Sequence, residues 1–397
     1  MELKIDAKKW RERRGMARVL EALGADDGLT RYVGGAVRDD LLHLPFSDVD
    51  LATRLRPDEV VERLEAAKVR AVPTGIDHGT ITAVSNGHPI EVTSLRRDVA
   101  TDGRRATIAF TDDWKEDAAR RDFTINALSG DPRTGEVYDY FGGTDDLLAR
   151  RVRFIGEPLE RIAEDHLRIL RFFRFHARFG AGAPDADALA ACTARANDLM
   201  ALSRERIADE LLKLLAVSDP SPTVAIMLDH NILRPVLPEI ERPALERLDV
   251  LVRAEAKAGI SPDPLRRLAS LVPQDSEVAG DIAARLKLSN KARKRLGCAV
   301  GAAVAANAQS FAYFAGLECA VDRLLLGGDA ERANAITQWE SPRLPIGGGA
   351  LIQRGLEPGP VVAKTLQSIE RRWVESGFPA GEDFERLVAE ELASARG

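Results

Sequence analysis

The sequence predicts an α+β protein, in which an N-terminal mixed sheet with helices is followed by an all-α extension. Two observations predict the sheet. A strand, a Gly-Gly turn, a helix and a second strand follow one another over residues 31–53, and two β-rich runs flank Asn86-Gly87, a strong hairpin signal. A third observation predicts the extension, because apolar residues recur at helical spacing from Asp185 onward, with breaks at segments rich in Pro and Gly.

Residues 31–53 contain the first candidate site. Tyr32-Val33 ends a short strand, Gly34-Gly35 allows a tight backbone turn, and Val37–Leu44 has the apolar spacing of a helix. Such a turn directs free backbone N–H groups and the positive end of a helix dipole at a ligand, which favours a phosphate. Arg38 adds a planar set of donors that suits phosphate oxygens. The glycine pair and Arg38 are therefore predicted to bind a nucleotide.

Two carboxylates follow on the next predicted strand, residues 47–52. Because side chains alternate along a strand, Asp48 and Asp50 share one face while Val49 and Leu51 point into the core. Two carboxylates on a single face suit Mg²⁺. A lone Asp-x-Asp is usually an exposed pair in water, so the signal comes from its combination with the preceding glycine turn and arginine.

A third acid, Glu91, interrupts the apolar and β-branched strand that follows Asn86-Gly87. Two interpretations are open at this point. Glu91 is either an edge-strand carboxylate in water or a third acid beside Asp48 and Asp50.

Arginines concentrate in the next two segments. Residues 96–115 have many charges and little periodicity, which is typical of a mobile basic loop over a site, with a turn at Asp102-Gly103. Residues 116–128 are predicted to form a helix, in which Arg121 and Asp122 precede the apolar positions.

A long helix is predicted from Pro158 to the end of the FFRFHARF run. On that helix Asp165, Arg168 and Arg171 recur every third residue and lie on one face. From spacing alone, the three form either a ladder of ion pairs, each stabilising by only a few tenths of a kcal/mol, or a binding face.

The bulk composition is that of an ordinary globular protein of 397 residues, with 45% hydrophobic and 30% charged residues. The charged N-terminus predicts neither a signal peptide nor a membrane span. Cys192, Cys298 and Cys319 lie far apart and form no CxxC pair, so reduced cysteines, a cytoplasmic location and no structural zinc are expected. The net charge of −6 argues against a nucleic-acid partner, whereas the local arginine clusters argue for one.

Three motifs resemble, in order, those of the class II tRNA nucleotidyltransferase and bacterial poly(A) polymerase family. The first is GGxVRD…DxD in residues 34–50, the second is RRDFTINA in residues 120–127, and the third is EDxxR followed by LRFxRF in residues 164–175. One departure is visible, because His43 stands where the family often has Gly. His43 is interpreted as a structural turn residue.

The resemblance implies a polymerase-beta-like nucleotidyltransferase head in which Asp48 and Asp50 hold two Mg²⁺ ions about 3.5–4 Å apart. It places Glu91 as a third acid on a neighbouring strand. It also implies that Arg121 contacts the phosphates or sugar of the nucleotide and that Asp122 braces the site.

In the third motif, the resemblance implies that Asp165 and Arg168 hydrogen-bond the edge of the incoming base and so act as a protein template. Arg171 is placed with them in the nucleotide-binding set. A fixed arginine donor and a fixed aspartate acceptor complement C or A and reject U or G, and a good bidentate pair discriminates by roughly 1–3 kcal/mol.

The function implied is CCA addition, in which C, C and A from CTP and ATP extend the 3′ end of tRNA. A poly(A) polymerase and an enzyme that adds only C or only A carry the same motifs and stay open as alternatives, as does an inactive RNA-binding module. Retention of residues 96–115 favours the full reaction, because relatives that stop after C tend to have that region altered.

The predicted domain order is a catalytic head in residues 1–150, a helical neck that recognises the base in residues 151–235, and a tRNA-binding helical body and tail in residues 236–397. Some relatives carry a phosphohydrolase domain built on His and Asp. Only one of the six histidines follows residue 180, so that domain is predicted to be absent.

Overall fold

The computed structural model describes residues 4–102, 105–301, 304 and 307–396. The chain forms two compact units. The first contains the chain up to Leu214 together with Ile226–Val236, and the second contains Leu215–Ala225 together with the chain from Leu237 onward. The predicted α+β fold is confirmed, because all the strands described lie in the first unit and the second is helical.

A seven-stranded mixed sheet forms the centre of the first unit, in the order β3-β4-β5-β2-β1-β8-β9, and β6 and β7 form a separate pair. The strands are β1 (Thr30–Val33), β2 (Asp50–Thr53), β3 (Arg70–Gly75), β4 (Thr80–Ser85), β5 (His88–Ser94), β6 (Arg96–Asp102), β7 (Arg105–Phe110), β8 (Ser129–Gly130) and β9 (Val137–Tyr138).

The pairing of β2 with β5 positions the acidic residues. These two strands are parallel, with Leu51 beside Val92, while the other pairs of the large sheet are antiparallel. Leu51 and Val92 are fully buried, so Asp50 and Glu91, which precede them on the two adjacent strands, both point to the opposite face. The hairpin predicted at Asn86-Gly87 is confirmed, with both turn residues at positive φ.

Helices cover this sheet and continue beyond it. From the N-terminus they are α1 (Ala7–Arg11), α2 (Met16–Ala22), α3 (Gly35–Leu41), α4 (Pro57–Ala66), α5 (Trp114–Ala119), α6 (Gly143–Leu148), α7 (Pro158–Glu164), α8 (Arg168–Phe179), α9 (Ala186–Ala194), α10 (Arg204–Leu215) and α11 (Ser221–Asp229). Short 3₁₀ helices lie at Ile76–His78, Thr124–Asn126 and Ala196–Ala201. The turn interpretation of His43 is confirmed, because it follows α3 with a φ of 56°.

Two segments differ from the predictions made for the arginine-rich region. Residues 96–115 are not an irregular loop, since β6 and β7 pair as an antiparallel hairpin. The predicted turn residue Gly103 lies outside the described residues. The helix predicted over residues 116–128 is also wrong, because α5 ends at Ala119 and a 3₁₀ turn and β8 follow. Phe123, Ile125 and Leu128 are buried, and this burial outweighs helical propensity there.

The long helix predicted from Pro158 is wrong as well, because it divides at Asp165. Asp165 has an extended backbone, with φ −153° and ψ 106°, and its side chain accepts a hydrogen bond from the N–H of Leu167 at 3.1 Å. This local bond competes with helix continuation, as is typical of aspartate. Asp165 therefore lies in the α7–α8 junction, before the first turn of α8.

An aromatic cluster packs α8 against the segments that carry Phe123 and Phe154. Phe123 packs against Phe154 with ring centroids 4.9 Å apart and against Phe175 at 5.2 Å, and Phe172 packs on Phe154 at 5.8 Å. These rings are buried and each removes a large apolar area from water. The opposite, polar side of α8 is thereby held over the glycine turn and β2.

The second unit is helical, and its described residues include one hydrophobic cluster that contains Leu325 and another that contains Ile369. Its helices are α12 (Ala244–Ala258), α13 (Pro264–Leu271), α14 (Ser276–Arg285), α15 (Asn290–Ala299), α16 (Ala308–Ala315), α17 (Leu317–Leu326), α18 (Ala330–Thr337), α19 (Gly348–Gln353), α20 (Pro360–Glu375) and α21 (Glu382–Arg396). Across the described parts of the chain, every helix is too short or too polar to cross a membrane.

The cysteine prediction is wrong for one pair. Cys298 on α15 and Cys319 on α17 form a disulfide, with their Cα atoms 6.0 Å apart. The two residues are separated by 21 positions, and only the packing of α15 against α17 brings them together. Cys192 is free and buried, and its burial raises the pKa of the thiol.

Candidate active site

A polar cavity of about 490 Å³ lies in the first unit, between the glycine turn, the start of β2 and the N-terminal half of α8. It brings together nine of the residues predicted from the sequence; Asp48 and Glu91 are not among its lining residues. The lining residues are Gly34, Gly35, Arg38, Asp50, Arg121, Asp122, Asn126, Asp165, Arg168, Arg171 and Phe175.

The glycine pair allows two arginines to approach the backbone. Gly34 has a φ of 77°, which glycine adopts at little cost, and a Cβ there would lie 3.3 Å from Nη1 of Arg121. A Cβ on Gly35 would lie 3.3 Å from Nη2 of Arg38. The missing side chains therefore keep both guanidinium groups close against the floor of the cavity.

Gly34→Ala is expected to destabilise the fold by about 1–2 kcal/mol, because the new side chain has to adopt a positive φ. It should also raise the KM for nucleotide, since the methyl group crowds Arg121. Thermal unfolding and steady-state kinetics measure the two effects. Gly28→Ala is the matched control, because Gly28 also has a positive φ, 74°, but has no neighbouring atom within 4 Å of a new Cβ. Equal KM values in both variants would contradict the role given to Gly34.

Arg38 is part of the rigid wall of the cavity. Its Nε donates to Oδ1 of Asp39 at 2.8 Å, its Nη1 donates to Oδ1 of Asn126, and its guanidinium lies 4.1 Å from the ring centroid of Phe179. Burial lowers the pKa of Arg38, although an arginine keeps its charge in proteins. With most donors occupied, Arg38 provides fixed positive charge and orients Asn126.

Asn126 was not among the residues predicted from the sequence. Its side chain joins two predicted site residues, since it accepts from Arg38 and donates from Nδ2 to Oδ1 of Asp122 at 2.9 Å. Asn126 belongs to the RRDFTINA motif and lies four residues after Asp122. Its place in that motif was the feature of the sequence that could have indicated a role in the site. Nothing in its chemistry alone distinguishes it from a surface amide.

Asp122 is the acceptor at the centre of a buried network. Its Oδ2 accepts from Nε of Arg171 at 2.7 Å, and its Oδ1 also accepts from the backbone N–H of Phe123 at 2.9 Å. Burial by itself would raise the pKa of Asp122, but the charge of Arg171 and these hydrogen bonds lower it below its ordinary value. Asp122 therefore stays ionised and holds Arg171 in place.

Arg171 connects this network to α10. Its Nη1 lies 3.5 Å from Oε1 of Glu210, which is buried and also accepts from Nε of Arg174 at 2.5 Å. Glu210 was missed in the sequence, where α10 shows only an apolar period, because its partners on α8 lie more than 30 positions away. Two carboxylates thus surround Arg171 and fix its position along the cavity wall.

Asp165 and Arg168 both line the cavity, but each already has partners. Oδ2 of Asp165 accepts from Nη2 of Arg206 at 2.7 Å, and Nη1 of Arg168 donates to Glu164 and to the carbonyl of Arg161 at 2.8 Å. A carboxylate has about four acceptor positions and a guanidinium five donors, so both groups retain capacity for a ligand. These partners orient the two side chains.

Of the three acids Asp48, Asp50 and Glu91 predicted from the sequence, Asp50 alone is among the lining residues of this cavity. The strand predicted over residues 47–52 is shorter in the structure, because its pairing with β1 begins at Asp50 opposite Val33 and Asp48 precedes it. Asp50 lines the first cavity, whereas Asp48 accepts from the Ser47 hydroxyl at 2.8 Å and lines a second cavity of about 350 Å³. Desolvation of the Asp50 carboxyl group by its neighbours and then the negative charge of Glu91 raise its pKa to about 6, with Arg121 acting in the opposite direction. Negative charge is therefore crowded around Asp50.

The donor chemistry of these three acids fits Mg²⁺. Asp48, Asp50 and Glu91 offer carboxylate oxygens, the ligands preferred by this ion. The pKa of Asp50 is raised first by desolvation and then by the charge of Glu91, and a bound cation would favour the ionised carboxylate against both. Within residues 4–102, 105–301, 304 and 307–396, no three His, Cys, Asp or Glu side chains are gathered closely enough to hold a metal by themselves. Mg²⁺ binding is accordingly a proposal.

The raised pKa of Asp50 predicts that the stability of the protein depends on pH. Because the folded state holds the Asp50 proton more tightly than the unfolded state, stability falls as pH rises between about 4 and 6 and remains lower above that range. With a chelator present, Asp50→Asn should therefore raise the free energy of unfolding at pH 8 and leave it unchanged near pH 4. The expected increase is about 1 kcal/mol, because solvent screens this exposed carboxylate. Thermal unfolding from pH 4 to 8, with Asp77→Asn as the control for loss of an exposed charge, measures this. A variant less stable than the parent at pH 8 would contradict it.

Comparisons with known proteins match most of the chain. The family described as "Poly A polymerase head domain" matches residues 30–153, and the one described as "Probable RNA and SrmB- binding site of polymerase A" matches residues 183–242. The chain is also 34% identical over 391 residues to the mitochondrial CCA tRNA nucleotidyltransferase 1 of Mus musculus, covering 93% of this chain and 88% of that protein. The chain belongs to the CCA tRNA nucleotidyltransferase family. The CCA-adding enzyme of Streptococcus gordonii is 31% identical, with 94% of this chain and 95% of the relative covered.

Solved structures of CCA-adding enzymes share the fold. The Bacillus stearothermophilus enzyme in complex with CTP has a TM-score of 0.73 at 24% identity, covering 96% of this chain and 99% of that one. The Thermotoga maritima enzyme complexed with tRNA has a TM-score of 0.70 at 20% identity, covering 99% of this chain and all of that one. The family predicted from the three motifs is therefore confirmed, and the fold agrees over nearly the whole chain.

Proposed function

We propose that this chain adds C, C and A to the 3′ end of tRNA, with CTP and ATP as substrates. The observation that supports this most is a single cavity containing the glycine turn, Asp50, Arg121 and the Asp165/Arg168 pair. The glycine turn and Arg121 suit the triphosphate, Asp50 suits the reaction centre, and Asp165 and Arg168 suit the base. The relatives that match nearly the full chain are named for CCA addition.

In the proposed complex, Arg121 and Arg38 bind the phosphates of the nucleotide near the Gly34-Gly35 turn. Both arginines are positioned beforehand, Arg38 by Asp39 and Asn126, and Arg121 by the carbonyl of Asn126 at 3.3 Å. Fixed positive charge stabilises the negative charge that develops on the phosphates during transfer, without reorganisation of solvent.

Base selection is assigned to Asp165 and Arg168, with Arg171 beside them. Asp165 offers acceptors and Arg168 offers donors, and the contacts with Arg206 and Glu164 hold both at fixed positions. A rigid donor–acceptor pair selects C or A by its complementarity to the edge of the base.

Asp48 and Asp50 are proposed to hold two Mg²⁺ ions, with Glu91 as a further acid beside Asp50. When bound, Mg²⁺ supplies charge that activates the tRNA 3′-hydroxyl and steadies the triphosphate as pyrophosphate leaves. The protein itself holds the two substrates in line and provides the carboxylate oxygens.

The three-part organisation also stays a proposal, with the head in residues 1–150, the neck in residues 151–235 and the tRNA-binding body and tail in residues 236–397. A cytoplasmic location also stays a proposal, and the disulfide between Cys298 and Cys319 removes reduced cysteines from its support. Some relatives are named as mitochondrial forms, so location within the cell is a property that differs among members of the family.

The deciding experiment incubates the purified protein and Mg²⁺ with tRNA transcripts that lack CCA, end in C or end in CC. CTP, ATP or both are supplied and the products are sequenced. Addition that stops at CCA on all three transcripts is the expected result. Long A tails would instead indicate a poly(A) polymerase, a product with one type of base would indicate a split-function enzyme, and tRNA binding without extension would indicate an inactive module.

A further inference from the structure

The second cavity of the first unit lies beside Asp48, and none of the groups that bind the nucleotide in the proposed function lines it. It measures about 350 Å³, and Arg13, Arg14, Ser47, Asp48, His88 and Ile90 are among its lining residues. The two aspartates of the Asp-x-Asp pair therefore open onto different cavities, Asp50 onto the first and Asp48 onto the second.

The two arginines of this cavity differ in how they are held. Arg13 is half-buried, lies 5.0 Å from the ring centroid of Phe46, and donates to the Phe46 carbonyl at 3.4 Å. Arg14 is exposed, and among the described residues none bonds its guanidinium. Arg14 therefore has all five donors available to a ligand.

The backbone that carries these arginines is fixed against the sheet. Gly15 has a φ of 83°, and a Cβ there would lie 2.5 Å from the carbonyl oxygen of Ser85 at the end of β4. No larger residue fits this contact without a shift of the backbone. The loop is thus held against the β4–β5 turn, with Arg14 beside His88 and Asp48.

We propose that this second cavity binds the 3′-terminal strand of the acceptor RNA, with Arg14 and Arg13 on its backbone phosphates. The inference rests on the proposed function. Nucleotidyl transfer needs two substrates on either side of the carboxylate pair, and the first cavity contains the groups suited to the triphosphate. The second cavity reaches the same carboxylate pair at Asp48, and its two arginines supply positive charge. Positive charge suits the attacking strand, because each of its phosphates carries one negative charge.

The test compares Arg14→Ala with Arg18→Ala. Arg18 is exposed on the neighbouring helix α2 and does not line either cavity, so its variant removes the same charge a few residues away. Arg14→Ala should raise the KM for tRNA by about 3- to 10-fold and leave the KM for CTP unchanged. The slope of log binding constant against log salt should fall by about 0.7, the value for one single-stranded phosphate contact. Arg14→Lys should retain that slope because it retains the charge.

A shortened tRNA locates the contact. If Arg14 binds the 3′ strand, the affinity difference between the parent and Arg14→Ala should disappear on a tRNA that lacks its last several 3′ nucleotides. A difference that persists on the shortened tRNA, or equal tRNA kinetics for Arg14→Ala and Arg18→Ala, would overturn the proposal. Failure of the proposed function is distinct, because the parent protein itself would then extend no tRNA.

Discussion

Replacement of Asp48 and Asp50 together by alanine is expected to reduce nucleotide addition by roughly 1,000-fold or more, while tRNA binding stays near that of the parent. Removal of one preorganised electrostatic group commonly costs about 10²–10³ in rate, and this variant removes two. Both carboxylates are exposed, and neither belongs to the buried network of Asp122, so the fold should be retained.

Single-turnover extension of a tRNA lacking CCA measures the effect, with CTP at saturating concentration. Asp77→Ala is the matched control, because it removes an exposed carboxylate that does not line either cavity. Mg²⁺ provides a second measurement that does not depend on activity, since it should raise the melting temperature of the parent and leave that of the double variant unchanged. Extension of tRNA by the double variant at the parental rate would exclude Asp48 and Asp50 as the metal ligands.

The location of Asp50 beside Glu91 shows what the sequence could predict. Strand alternation predicted that Asp50 faces away from the core, and the Asn86-Gly87 turn predicted the hairpin that carries Glu91. Neither observation gives the order of strands in the sheet. The parallel pairing of β2 with β5 is a long-range contact, and it alone makes Glu91 a neighbour of Asp50.

The α7–α8 junction shows where helical periodicity fails. Apolar spacing runs through Asp165 without interruption, so the sequence predicts one helix. In the structure Asp165 bonds the N–H of Leu167 and the guanidinium of Arg206, and these two contacts outweigh continuation of the helix. Arg206 lies 41 positions away on α10, so periodicity within one segment could not reveal it.

The disulfide between Cys298 and Cys319 was not predicted for the same reason, because it depends on a contact between distant segments. Sequence spacing distinguishes a CxxC pair but says nothing about two helices that pack side by side. In general, local signals identified the turn, the strands and the residue types of the site. Contacts between segments, such as Glu210 with Arg171, supply the positions of those residues and are absent from any local pattern.

Arg168→Ala is expected to lower discrimination between correct and incorrect nucleotides by about 5- to 150-fold, which corresponds to roughly 1–3 kcal/mol for a bidentate contact. Arg168 lines the cavity and is oriented by Glu164 and by the carbonyl of Arg161, so its loss removes fixed donors from the edge of the base. The ratio of kcat/KM for CTP to that for UTP, measured on a tRNA lacking CCA, reports this change. The affinity for tRNA should change much less, and unchanged fidelity would count against the template role.

Arg206→Ala tests the template role of Asp165 through the hydrogen bond between these two residues. Without the 2.7 Å contact to Arg206, Asp165 retains its bond to the N–H of Leu167 but loses its contact with α10, so the acceptor half of the template is held less firmly while its charge is retained. Discrimination between nucleotides should therefore fall less than in Arg168→Ala. The rate of addition of the correct nucleotide should fall as well. Lys213→Ala is the matched control, since Lys213 lies on the same helix α10 and, among the residues that the structure describes, pairs with the exposed Asp209 alone. If Arg206→Ala left both fidelity and rate at the level of Lys213→Ala, orientation of Asp165 by α10 would have no part in base selection, and the donors of Arg168 would have to select the base alone.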